Sequence, residues 1–111
     1  MDQTNYIVGI VKILEIPKEK TINNETSLVK IRVQLSQIRN PKIVTLIFWD
    51  NLAHDIVNYY KVNDYLIIEG FLSLRIRQTS ELKIKNLKKV EITVIRTYPF
   101  ILSSNLSIRK V

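Results

Sequence analysis

The chain has 111 residues, 46% of them hydrophobic and 24% charged, which fits one globular domain and argues against wholesale disorder. It has no cysteine and one histidine, so disulfides, thiolate metal sites, thiol nucleophiles and multi-histidine centres are excluded. The net charge of +7 favours an anionic partner such as nucleic acid or a membrane surface, and no apolar run approaches the roughly 18–20 residues of a membrane span.

Taken in chain order, β-branched residues and frequent alternation predict a mostly stranded domain. Residues 6–16 (YIVGIVKILEI) form a first strand, closed by Pro17, which cannot donate to a ladder. Residues 18–26 (KEKTINNET) are a polar loop. From Ser27 to Gln37 the apolar Val29, Ile31 and Val33 alternate with Lys30, Arg32 and Gln34, which predicts a half-buried strand with a basic outer face. Arg39-Asn40-Pro41 is a turn, and residues 42–49 are the third strand.

Residues 50–60 are the one helix, capped by Asp50 or Asn51, with Leu52, Ile56 and Tyr59 or Tyr60 on its apolar face. After the turn at 61–64, a long fourth strand runs over 65–77 with Gly70 marking a bend or bulge. Residues 84–98 are a fifth strand ending at Pro99. The domain is assigned to residues 1–102, and 103–111 to a flexible basic tail. The fold class is all-β, in the order β-β-β-α-β-β. Five strands with a helix at that junction are what an OB-fold barrel requires, although a small barrel of other topology fits the same string.

The stretch 44–77, VTLIFWDNLAHDIVNYYKVNDYLIIEGFLSLRIR, resembles the core of bacterial-type single-stranded DNA-binding proteins. The family's pattern has an aromatic followed by x-x-L-A, a short helix ending in an aromatic, a charged turn and V-x-V-E-G-x-L-x-x-R. Here these elements are Trp49-Asp50-Asn51-Leu52-Ala53, Tyr59-Tyr60-Lys61, Asn63-Asp64, and Ile68-Glu69-Gly70-Phe71-Leu72 with Arg75. The resemblance covers about residues 5–100. It implies an OB-fold that binds single-stranded DNA and assembles as a tetramer or dimer. Four departures stand out. Ile43 and Arg77 occupy positions where the family carries aromatics, Asn63 replaces a turn glycine, and the chain ends Ile108-Arg109-Lys110-Val111 without an acidic tail for recruiting replication proteins.

A binding surface of this kind combines cations with aromatic platforms. Strand alternation assigns it Lys30, Arg32, Thr45, Trp49, Phe71, Arg75 and Arg77, with Lys12 and Lys85 as further phosphate contacts. Trp49 is the base-stacking position that the resemblance implies. The alternative for Trp49 is packing at the barrel rim, and for Phe71 a core or subunit contact. Lys83, Lys85, Lys88 and Lys89 read as a solvated edge that discourages strand pairing. His54 reads as a surface helix residue. Neither a glycine-rich phosphate loop nor a cofactor motif is found, so a binding protein is expected rather than an enzyme. Two other readings share the barrel: a protein-interaction subunit of a replication or nucleoid assembly, and an RNA-binding OB domain.

The first residues, Met1-Asp2-Gln3-Thr4-Asn5, predict neither a signal peptide nor a transit peptide. Ile, Lys and Asn supply 18, 11 and 9 residues, while Ala, Gly, Pro and Arg together supply 12. That skew toward residues with AT-rich codons points to an AT-rich genome, expected to be a plastid, with an AT-rich bacterium as the alternative.

Overall fold

A computed structural model describes residues 5–36, 39–77 and 87–100, with residues 75–77 and 87–88 described through their backbone. The expected tail, the domain boundary at 102 and Lys85 lie outside the described residues.

Six strands and one helix make up the described chain: β1 (Tyr6–Ile13), β2 (Lys20–Ile22), β3 (Thr26–Leu35), β4 (Lys42–Trp49), α1 (Asp50–Tyr59), β5 (Tyr65–Arg77) and β6 (Leu87–Pro99). The sheet order is β1-β5-β6-β4-β3-β2, and an additional β1–β3 pairing closes it into a barrel. Closure depends on β1 changing partners along its length. Tyr6–Lys12 pairs with β5, whereas only Val11–Ile13 pairs with β3. One parallel contact, Thr45–Ile47 of β4 against Glu91–Thr93 of β6, joins the two halves of the wall.

The order expected from sequence gains one strand. The polar loop over 18–26 contains β2, which pairs back on β3 through Lys20 opposite Leu28. Asn23 and Asn24 both have positive φ, 53° and 56°, and Glu25 N–H donates to Ile22 O at 3.3 Å. The connection is a three-residue loop, Asn23–Glu25, whose two left-handed residues turn the chain back on itself, and asparagine tolerates that conformation. The first strand also ends sooner than expected, at Ile13. There its backbone exchanges partners: Ile13 N–H donates to Asp64 O at 2.9 Å and Asn63 N–H donates to Ile13 O at 2.8 Å.

The interior is built from alternate residues. Val11 and Ile13, then Val29, Ile31 and Val33, then Val44, Leu46 and Phe48, with Leu66, Ile68, Ile92 and Val94, form one buried cluster. Ala53 and Ile56 of α1 belong to it and cover one end of the barrel against β3, β4 and β6. Tyr60 packs against this cluster, while Tyr59 is 73% exposed, which settles the choice between them on the helix face. Trp49 holds the N-cap position with no side-chain cap, so neither Asp50 nor Asn51 serves as the expected cap. The Asp50 carboxylate is used elsewhere, as described below.

Gly70 is required by packing. A Cβ there would lie 2.3 Å from the carbonyl oxygen of Thr93. The β5–β6 register shifts at this point, from Glu69 opposite Arg96 to Gly70 opposite Val94, leaving Ile95 as the bulged residue. Asn63 takes the place of a turn glycine with φ 78°. The Asp64 carboxylate accepts from Lys61 N–H at 2.9 Å and holds that turn.

Candidate nucleic-acid interface

The outer faces of β2, β3 and β4 form one surface. On β3 the residues between the core positions, Lys30 and Arg32, are exposed. The antiparallel register sets Trp49 opposite Leu28, Ile47 opposite Lys30 and Thr45 opposite Arg32. Lys20 lies on the other side of Leu28. One cross-strand row therefore reads Lys20, Leu28, Trp49, and Lys30 is one step along it on the same face.

Trp49 is 41% exposed at the end of β4. Its backbone is extended (φ −114°, ψ 147°), and the next residue, Asp50, the first of α1, takes a φ of 45°. The Asp50 Oδ1 accepts from Ser27 N–H at 3.1 Å, tying the start of α1 to the start of β3 beside Leu28. Aspartate tolerates the left-handed conformation better than most residues. The turn fixes the backbone on which the indole is presented.

A shallow groove of about 290 Å³ adjoins this row, lined by Lys18, Lys20, Leu28 and Lys30. Lys18 and Lys20 were not singled out from the sequence, because their segment reads as a polar loop. The available signal was the alternation Lys18-Glu19-Lys20 before an Asn-Asn turn, which is a strand-like pattern. Glu19 faces away from the groove, with an Oε2 2.8 Å from His54 Nδ1. Hydrogen bonds from Ser27 and then His54 hold its carboxyl below the usual range. His54, expected as a plain surface residue, thus links α1 to the β2 segment.

The other expected site residues are distributed more widely. Arg32 is paired with Glu15: its N–H donates to Oε1 at 3.0 Å and its Nε to Oε2 at 2.7 Å. These bonds, the side-chain one first, hold the Glu15 carboxyl below its ordinary range. Thr45 is only 7% exposed, which corrects its assignment as a contact. β4 is an interior strand, and this short side chain is flanked in register by the longer Arg32 and Glu91. Lys12 is opposite Gln34 and Tyr65, with its Nζ 5.9 Å from the Tyr65 ring centre. Gln34 is six residues along β3 from Leu28, about 20 Å at strand rise, so Lys12 is remote from Trp49. Arg75 and Arg77 occupy β5 positions opposite Lys89 and Leu87, and their side chains lie outside the described residues, as does Lys85.

Phe71 belongs to a second surface, on β1, β5 and β6. It is 46% exposed and meets Tyr6 at 5.6 Å between ring centres, tilted by 60°. Beside this pair, Glu69 accepts from the hydroxyl of Tyr6, from Arg96 Nε at 2.7 Å and from the hydroxyl of Tyr98 at 3.0 Å. The Tyr6 bond, followed by Arg96, holds the Glu69 carboxyl below its usual range, and the same bond raises the Tyr6 phenol above its own. Val8 and Tyr98 are also exposed here. Sequence alternation placed Phe71 on the binding face but did not show that a carboxylate cluster surrounds it.

A protein of Trieres chinensis named "Putative single-stranded DNA-binding protein ycf41" is 42% identical to this chain over 104 residues, covering 90% of the chain and 92% of that protein. The chain belongs to the ycf41 family of single-stranded DNA-binding proteins. The family member of the same name from Porphyra purpurea is 28% identical over 75 residues, 68% of this chain and 66% of its own length. No family model matches the chain. Two solved structures share its fold. The SSB domain of a Synechococcus sp. protein has a TM-score of 0.65 at 24% identity, covering 88% of this chain and 98% of that domain. The second single-stranded DNA-binding protein (SSBb) of Mycobacterium smegmatis gives 0.65 and 24%, covering 86% and 87%. The all-β OB-fold expected from the sequence is thereby established.

Proposed function

We propose that this ycf41 family member binds single-stranded DNA without sequence specificity, protecting unwound strands in replication, recombination or repair, and acts by binding rather than by catalysis. The observation that carries the reading is Trp49, exposed at the end of β4 in a row with Leu28 and Lys20, one step from Lys30. An aromatic face stacks on any base, and adjacent ammonium groups neutralise phosphates whatever the sequence. The relatives named as single-stranded DNA-binding proteins support the same substrate. The ycf41 name points to plastid-encoded genes in algae, which supports the plastid as the site of action.

Self-association into a dimer or tetramer belongs to this reading. Residues 6–9 of β1 pair with β5 on one side, and β3 reaches only Val11–Ile13 on the other. Among the described residues no other strand pairs with that half-edge, which is bordered by the exposed Tyr6 and Val8 and suits a strand from a second copy. Sedimentation showing only a 13 kDa monomer at all concentrations would remove this part.

The direct test uses the single tryptophan. Titration with oligo(dT) at low and high salt is expected to quench Trp49 fluorescence, with the affinity falling as salt rises. Duplex DNA is expected to leave it unquenched. Equal quenching by oligo(U) would transfer the reading to RNA, and no anisotropy change with labelled oligo(dT) would overturn it.

A further inference from the structure

We propose that the groove lined by Lys18, Lys20 and Lys30 seats the phosphates next to the nucleotide whose base stacks on Trp49, so that the bound strand crosses β2, β3 and β4. This rests on the single-strand binding reading above and adds to it the path of the strand and the contribution of Lys18.

Three observations support the assignment. The register places Lys20, Leu28 and Trp49 in one row across neighbouring strands. Two strand spacings, about 10 Å, separate the backbones of Lys20 and Trp49, a span covered by a nucleotide's reach from base to phosphate plus a lysine side chain. Lys18, two residues before Lys20, lines the groove together with Lys30 of β3, so cations reach it from both segments.

The charges in the groove are also uncompensated. Glu19, between two of the lysines, is turned to His54 and Ser27. Glu15 is engaged by Arg32. Among the described residues, no ion pair joins Lys18, Lys20 or Lys30. Three ammonium groups along about 290 Å³ repel one another, and a phosphodiester relieves that repulsion. Leu28 supplies the apolar floor between the cations and the indole, which suits a sugar. The second surface differs: its carboxylate, Glu69, and its cation, Arg96, are paired with each other at 2.7 Å, so that arginine is already engaged.

The experiment compares oligo(dT) binding by the full chain with that of Lys18→Gln, Lys20→Gln and the charge-matched control Lys61→Gln, in the turn after α1. All three side chains are exposed, and circular dichroism checks that each variant is folded. The groove predicts that Lys18→Gln and Lys20→Gln each reduce the slope of log K against log salt by about 0.7. Lys61→Gln should leave the slope unchanged, and quenching of Trp49 at saturation should persist in all. Parent-like slopes for both groove variants, with oligo(dT) still quenching Trp49, would overturn the groove and leave single-strand binding standing. An equal loss in Lys61→Gln would reduce the effect to net charge and also overturn it. Failure of the parent chain to bind oligo(dT) would overturn the binding reading and the groove together.

Discussion

The barrel wall presents two surfaces of opposite construction. On β2–β3–β4, lysines line a groove beside the row that carries one exposed indole, and the nearby carboxylates of Glu15 and Glu19 are turned to other partners. On β1–β5–β6, a single carboxylate, Glu69, gathers Tyr6, Arg96 and Tyr98 among exposed apolar side chains. The first leaves its donors available for a ligand; the second uses them internally. Aromatic residues occur on both, so aromaticity alone does not locate a nucleic-acid site. What separates the two is whether the adjacent charges are already paired.

The largest effect should come from Gly70, where the second surface is bent by the bulge at Ile95. Gly70→Ala drives a methyl group into the Thr93 carbonyl and is expected to destabilise the fold by about 3 kcal/mol, the upper end of usual overpacking costs. A urea melt measures this, and an unchanged midpoint would mean that the strands separate there at no cost. Next, Trp49→Ala should weaken oligo(dT) binding by about 1–3 kcal/mol, the range for one stacked base, with the melt little changed. Phe71→Ala should leave oligo(dT) affinity intact and instead reduce self-association seen by sedimentation. If the two variants exchange phenotypes, the comparison between the surfaces is reversed.

A smaller effect is expected at the turn that docks on β1. Asn63→Ala should cost about 1 kcal/mol, because alanine tolerates a φ of 78° less well than asparagine, and a thermal melt would show it. The smallest effects concern pH. The Glu69 carboxyl is lowered in the folded state, so its contribution is present above the unfolded carboxyl range near 4.5 and is lost as pH falls through the folded value. The Tyr6 phenol is raised, so its contribution is present below about 10 and is lost as pH rises through the folded value. Glu69→Gln should flatten both limbs of the stability profile without changing oligo(dT) binding.

Much of this was legible from residue order. The alternation over Val29–Val33 correctly separated core from surface, β5 matched its expected span, and Gly70 marked the bulge. Alternation fails where a strand is buried on both sides. Thr45 and Ile47 share the outer face with Trp49, yet both are buried; they are flanked in register by Arg32 and Lys30 on β3 and by Glu91 and Thr93 on β6. A strand's period names its faces but not its neighbours. The hairpin at Asn23-Asn24 was missed because its strand has only three residues, too short for a hydrophobic period to register. The Glu69 cluster depends on residues from β1, β5 and β6 brought together by closure, a relation that local spacing does not encode.

Closure itself has a consequence for how the chain reaches its fold. The contact between β4 and β6 joins residues 45–47 to 91–93, so the seam of the barrel is supplied by the last described strand. Until β6 emerges during synthesis, β4 and β5 present unpaired edges and the inner row of Leu46 and Phe48 lacks Ile92 and Val94. Pairings so distant in sequence form slowly, because loop-closure entropy is lost before contacts compensate for it. A nascent chain ending near residue 86 is therefore an open sheet with an exposed apolar face, vulnerable to association with its neighbours on the same message. The domain becomes a closed barrel late and all at once, when β6 arrives.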